Sequence, residues 1–137
     1  MICGIGVDIV EVHRVARVAE RHGDRFLRRI YTPLEMERVH GNRHQYLAAR
    51  FAAKEAAFKA LGTGWGGGVR WVEVEIDNLS SGQPVLFLHG TARARAEQLG
   101  ADRLHITISH TEEYAMAQVV LEGTGSEGRT VEPAEGM

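Results

Sequence analysis

The sequence predicts an α+β fold with a largely antiparallel sheet packed against helices. Alternating apolar residues mark strands near both ends of the chain, and strand pairs joined by short turns favour antiparallel pairing. Between them lie capped segments of helical periodicity. One of these carries Ala49, Ala52, Ala53, Ala56 and Ala60 on one face, small enough for a sheet or helix to approach closely. The order reads βααα-ββ-α-ββ, with no internal repeat at a fixed period.

Ile2 to Ile9 reads as the first strand. Cys3, Ile5, Val7 and Ile9 share one side; Gly4, Gly6 and Asp8 share the other, nearly bare up to a carboxylate. That bare side is expected to leave room for a ligand. A helix from about Glu11 to His22 follows, with Gly23 as its stop and Asp24 opening a short further turn. Thr32-Pro33-Leu34-Glu35 is a helix start with a capping Thr, Pro at the first position and Glu at the third; this short helix is expected to end near Gly41. The next helix runs from about Asn42 to Leu61, where Gly62 ends it. Thr63 to Gly68 is a loop. Val72, Val74 and Ile76 alternate with Trp71, Glu73 and Glu75 as a half-exposed strand. Asn78 to Pro84 turns into a second strand, Val85 to His89. Thr91 is expected to cap a helix ending near Gly100. Leu104 to His110 and Tyr114 to Glu122 form a hairpin around Thr111-Glu112-Glu113. Residues 1–122 read as one domain, and the acidic 123–137 tail, rich in Gly, Glu, Thr and Pro, is expected to be disordered.

The net charge of −2 conceals an uneven distribution. Glu11 to Arg29 contains six arginines against Glu11, Glu20 and Asp24. Such a basic segment in a near-neutral chain implies a local acidic partner. Its aromatics are not interleaved as on a nucleic-acid stacking platform. The lone Cys3 rules out an intrachain disulfide and fits a reducing compartment. With no apolar run long enough to span a membrane and no signal-peptide pattern, a cytoplasmic chain without membrane partner is expected.

The richest stretch runs from Phe51 to Gly64. Phe51, Glu55 and Phe58 follow i, i+4, i+7 spacing, so a carboxylate stands in line with two rings. A buried carboxylate must be paired, protonated or cation-bound. Lys59 lies one turn on, and Gly62 and Gly64 permit close backbone approach. Each feature also has a plain structural reading. Asp8, three residues before Glu11, fits a helix cap, and that reading is favoured on the residues alone. Glu55 with Lys59 fits a solvated i, i+4 pair. The glycine loop is not a phosphate-binding P-loop, because no Gly-Lys-Ser/Thr follows. Ser109 and His110 are strand neighbours that point to opposite faces, so they form no nucleophile–base pair. No cysteine cluster or HExxH motif supports zinc. Carboxylates, lysine and glycine loop together fit Mg²⁺-assisted chemistry on a phosphate ester. The competing reading is a non-catalytic module whose basic helix holds an acidic protein or nucleic acid.

Gly4-Ile5-Gly6-Val7-Asp8-Ile9-Val10 with Arg14, then Arg50-Phe51-Ala52-Ala53-Lys54-Glu55 with Lys59-Ala60, Gly62-Thr63-Gly64 and Ile108-Ser109-His110-Thr111, resemble the holo-acyl-carrier-protein synthase family of small 4'-phosphopantetheinyl transferases. The four motifs fall in the family's order, and the resemblance covers about residues 1–122. It implies transfer of phosphopantetheine from coenzyme A to a serine of an acidic acyl carrier protein, with release of adenosine 3',5'-bisphosphate. It further implies Mg²⁺ on Asp8 and Glu55, with Glu55, Lys59 and His110 as the catalytic residues. Arg50, Lys59, Gly62, Thr63, Gly64 and His110 would contact coenzyme A. The helix bearing Arg14, Arg17 and Arg21, extended by Arg25 and Arg28, would dock the carrier. A homotrimer with interfacial active sites is implied by the resemblance alone.

Overall fold

The computed structural model describes residues 1–64 and 67–124. The expectation for the tail beyond Thr124, and for Trp65 and Gly66 in the glycine loop, lies outside the described residues. The elements are β1 (Ile2–Glu11), α1 (Val12–Ile30), α2 (Pro33–Glu37), α3 (Arg43–Leu61), a single 3-10 turn (Trp71–Glu73), β2 (Val74–Asn78), β3 (Pro84–Leu88), α4 (Gly90–Gln98), β4 (Arg103–His110) and β5 (Tyr114–Glu122). This is the α+β order the sequence predicts, with one added turn. Strands β1, β5 and β4 form an antiparallel sheet in that spatial order, and β2 and β3 form a separate antiparallel hairpin. Asp8 pairs with Ala117, which pairs with Ile108.

The two faces of β1 are used opposite to expectation. The glycine side leaves no room for a ligand; α3 fills it. A Cβ on Gly4 would sit 2.1 Å from the Ala60 carbonyl oxygen, and one on Gly6 2.0 Å from that of Ala56. Two missing side chains on the strand and the alanine face of the helix thus let the backbones approach. The core forms here, from Ala52, Ala53, Ala56 and Ala60 against Ala117, Val119 and Leu121. The apolar side of β1 faces outward instead, leaving Ile5 60%, Val7 51% and Ile9 60% exposed.

Asp8 is not a cap. The strand continues to Glu11, which occupies the N-cap position of α1 without a side-chain bond. α1 is two helical segments that meet at a kink at Gly23, whose φ 55° and ψ −137° are not helical, so the glycine stops the first segment as expected and the second, longer than the short turn expected, runs on to Ile30. The Thr32 capping box forms: the hydroxyl accepts from Glu35 N at 3.2 Å and the Glu35 carboxylate accepts from Thr32 N at 2.9 Å. α2 then ends at Glu37, short of Gly41. Asn42 caps α3 through Gln45 N at 3.0 Å, and Gly62 ends it in the left-handed region at φ 74°.

Two expectations fail for one reason. Val72 belongs to a 3-10 turn, not a strand, and Thr91 lies inside α4, whose N-cap position is His89. Both segments are drawn to the buried Glu73 carboxylate. It accepts from Arg70 N at 2.7 Å, Thr91 N at 2.5 Å and the Thr91 hydroxyl at 2.6 Å.

Candidate active site

Asp8 leaves the sheet's inner face near the end of β1. Its Oδ1 accepts from Lys59 Nζ at 3.1 Å, and the same ammonium donates to the Val7 carbonyl at 2.9 Å. Its Oδ2 is buried and has no hydrogen-bond partner. A carboxylate oxygen held out of water without a donor is costly, and a cation would satisfy it.

Glu55 supplies the second carboxylate. Burial raises its pKa most, the Asp8 charge raises it further, and Lys59 and Arg14 pull the other way. Asp8, Glu55 and Arg14 share a cleft of about 680 Å³ whose walls include Phe26, Phe51, Trp71 and Tyr114. Among the described residues no group of three or more His, Cys, Asp or Glu could hold a metal ion. A cation here would therefore take two carboxylates from this chain and complete its shell with water and substrate oxygens. That is the habit of Mg²⁺, which keeps several waters and binds through one or two carboxylates plus phosphate. The donor set and the orphaned oxygen fit the ion.

The remaining predicted residues divide into three places. Gly62, Thr63 and Gly64 follow the end of α3, with Gly62 at φ 74° and Gly64 at φ 55°. Lys59 sits one turn before them with its side chain 54% exposed. Arg14, Arg17 and Arg21 line a groove of about 650 Å³ on α1 together with His13 and Glu20. Arg25 and Arg28 are exposed beyond the kink, and no ion pair with a described residue engages these five arginines.

Arg50 and His110 are not brought to the carboxylates within this chain. They line a separate cleft of about 370 Å³ with Tyr46, Asn78 and Pro84. Arg50 is only 5% exposed. Its guanidinium lies 4.3 Å over the Tyr46 ring and donates to Asn78 Oδ1, while its buried Nε has no partner. A fixed, under-satisfied guanidinium beside an exposed imidazole suits an anionic group.

Sequence reasoning gave Trp71, Lys54 and Glu35 no part in the site. Trp71 stacks on Phe51 with ring centroids 5.0 Å apart and meets Phe58 edge-on at 4.9 Å. Lys54 and Glu35 form an ion pair at 2.8 Å with neither side chain exposed. A signal existed for Lys54, because Leu47, Lys54 and Leu61 recur every seven residues and so place a lysine in an apolar stripe.

A family model described as the 4'-phosphopantetheinyl transferase superfamily matches residues 4–119. A holo-[acyl-carrier-protein] synthase of Solibacter usitatus is 52% identical over 124 residues, spanning 89% of this chain and 99% of the relative. Among solved structures, the holo-[acyl-carrier-protein] synthase of Neisseria meningitidis superposes with a TM-score of 0.82 at 39% identity, covering 89% of this chain and 99% of that one. The Bacillus anthracis synthase, solved in complex with CoA (3',5'-ADP), gives a TM-score of 0.74 at 38% identity over 90% and 99% of the two chains.

Proposed function

Because the chain belongs to the 4'-phosphopantetheinyl transferase superfamily, and is an enzyme of the holo-[acyl-carrier-protein] synthase type, we propose that it moves 4'-phosphopantetheine from coenzyme A to a serine of an apo acyl carrier protein at Asp8, Glu55 and Lys59. The observation that carries this assignment of the site is the Asp8–Glu55 pair with its orphaned Oδ2, set beside Lys59 in an open cleft. Residues 1–122 act as the transferase domain.

In the reaction the serine Oγ attacks the β-phosphorus of coenzyme A. The bond from that phosphorus to the bridging oxygen breaks, and adenosine 3',5'-bisphosphate leaves. Mg²⁺ held by Asp8 and Glu55 would neutralise charge on the diphosphate and help align the attacking and leaving oxygens. Lys59 contributes a point cation to the same diphosphate. The serine proton passes to Glu55 or to His110. Glu55 is a candidate for it as a carboxylate in the same cleft as Asp8. Gly62 to Gly64 let the coenzyme approach the backbone, and Arg50 takes one of its phosphates.

The arginines of α1 dock the acidic carrier, which raises the on-rate and fixes orientation more than it adds affinity. Arg14 is common to the docking groove and the carboxylate cleft, so a docked carrier would present its serine near Asp8. A homotrimer fits the placement of the remaining groups. The exposed Ile5, Val7, Ile9 and Met116 form an apolar sheet face of the kind that marks an interface. Assembly would let Arg50 and His110 of one protomer complete the site of its partner. No described helix is long and apolar enough to cross a membrane, which fits a cytoplasmic enzyme.

The test is intact mass spectrometry of an apo acyl carrier protein incubated with the enzyme, coenzyme A and Mg²⁺. The carrier should gain one phosphopantetheine, and EDTA should prevent the gain. No gain from a folded sample that still binds the carrier would favour a non-catalytic binding module.

A further inference from the structure

The reading above uses the residues around Glu55 but leaves Lys54 without a role. Lys54 is fully buried on α3, immediately before Glu55. Its ammonium reaches Glu35 Oε1 at 2.8 Å, the Trp71 carbonyl at 3.2 Å and the Val74 carbonyl. Glu35 is equally buried, and its carboxylate also accepts from Thr32 N at 2.9 Å and Ile76 N at 3.0 Å. Taking such a pair out of water is expensive, and apolar residues of similar volume often serve as well for stability. The location of the pair is more telling. The two carbonyls that Lys54 holds belong to the first residue of the Trp71–Glu73 turn and to the residue just after it, so α3 and that turn are tied at a single nitrogen.

The Trp71 ring returns to the same helix. It stacks on Phe51 at 24° between ring planes and meets Phe58 edge-on at 71°. Phe51, Glu55 and Phe58 follow one line of α3, and the ring and Glu55 line the same cleft. Trp71 lines the cleft of Asp8 and Glu55, and also an adjoining cleft of about 620 Å³ with Phe58, Gly68 and Arg70. Arg29 is the other residue that lines both.

We propose that Trp71 is the surface on which the donor's organic arm rests as it leaves the diphosphate, and that Lys54, braced by Glu35, is the positioning residue that sets Trp71 against Glu55. This rests on the coenzyme A reading above. With the diphosphate at Asp8, Glu55 and Lys59, the uncharged arm continues from the phosphorus into a cleft walled by Phe51 and Trp71. Its geminal dimethyl group is the part suited to an aromatic face.

The test compares coenzyme A with adenosine 3',5'-bisphosphate, which lacks the arm. Both are titrated by calorimetry in Mg²⁺ into the wild type, Trp71→Leu, and Lys54→Met combined with Glu35→Gln. The combined variant leaves no unpaired charge buried, and partial unfolding would weaken both ligands alike. In both variants the Kd for coenzyme A should rise on the order of tenfold, the scale of removing a large apolar contact. The Kd for the bisphosphate should stay unchanged. An equal rise for the two ligands, or no rise for coenzyme A, overturns the proposal. If the wild type bound no coenzyme A, the coenzyme A reading itself would fall, so the two failures are distinguishable.

Discussion

Asp8 divides its carboxylate between two fates. One oxygen is matched by Lys59 and the other is buried with no hydrogen-bond partner. Glu55 feels the same uneven field, because burial and Asp8 raise its pKa while Lys59 and Arg14 lower it. In the metal-free protein Glu55 should therefore titrate above an ordinary glutamate. The folded metal-free form holds that proton more tightly than the unfolded chain does, so its ionised form is lost earlier on acidification. Asp8→Asn should lower the Glu55 midpoint by removing a like charge, and Lys59→Met should raise it. Carbon-13 carboxyl NMR of labelled glutamate reads all three, and an unchanged midpoint in both variants would break the coupling. The residues themselves favoured a cap for Asp8, since its spacing to Glu11 suits a helix start. Only the extension of β1 to Glu11 decides against the cap, and no local rule announces where a strand yields to a helix.

At the level of elements, local chemistry was legible wherever a side chain meets its own backbone. Thr32, Asn42 and Gly62 mark helix ends as the sequence predicts. The misplaced boundaries lie where a distant group intervenes. Glu73 gathers the Arg70 N–H and both donors of Thr91, turning an expected strand start into a 3-10 turn and an expected cap into a helical residue. Burial pushes the Glu73 carboxyl up, but these hydrogen bonds outweigh it and hold its pKa below the usual 4.5. Its contribution to stability is thus complete above that value and is lost as pH falls through the lowered folded pKa. Glu73→Gln should cost about 1–3 kcal/mol at neutral pH. It should also flatten the acid side of the stability profile, as urea melts across pH would show. A parallel acid limb in the variant would mean that another carboxylate sets it.

Over the whole molecule, the alternation in β1 was legible but its direction was not. Period-2 patterning separates two faces and says nothing about which one is covered. Here the glycine face lies under α3 because a strand without side chains is where a helix can come closest. The apolar face is left outside with Ile5, Val7 and Ile9. The polar groups of the proposed site are divided in the same way. Asp8, Glu55 and Lys59 belong to one region of the chain, and Arg50 with His110 to another cleft. If the site is shared between protomers, defects in the two regions need not be equivalent when mixed. Asp8→Ala chains and Arg50→Ala chains, each inactive alone, should recover measurable turnover when unfolded and refolded together. Some mixed assemblies would then join an intact carboxylate half to an intact arginine half. The separation of the two clefts would thereby appear as complementation between alleles, a property of a population of chains that no single chain possesses.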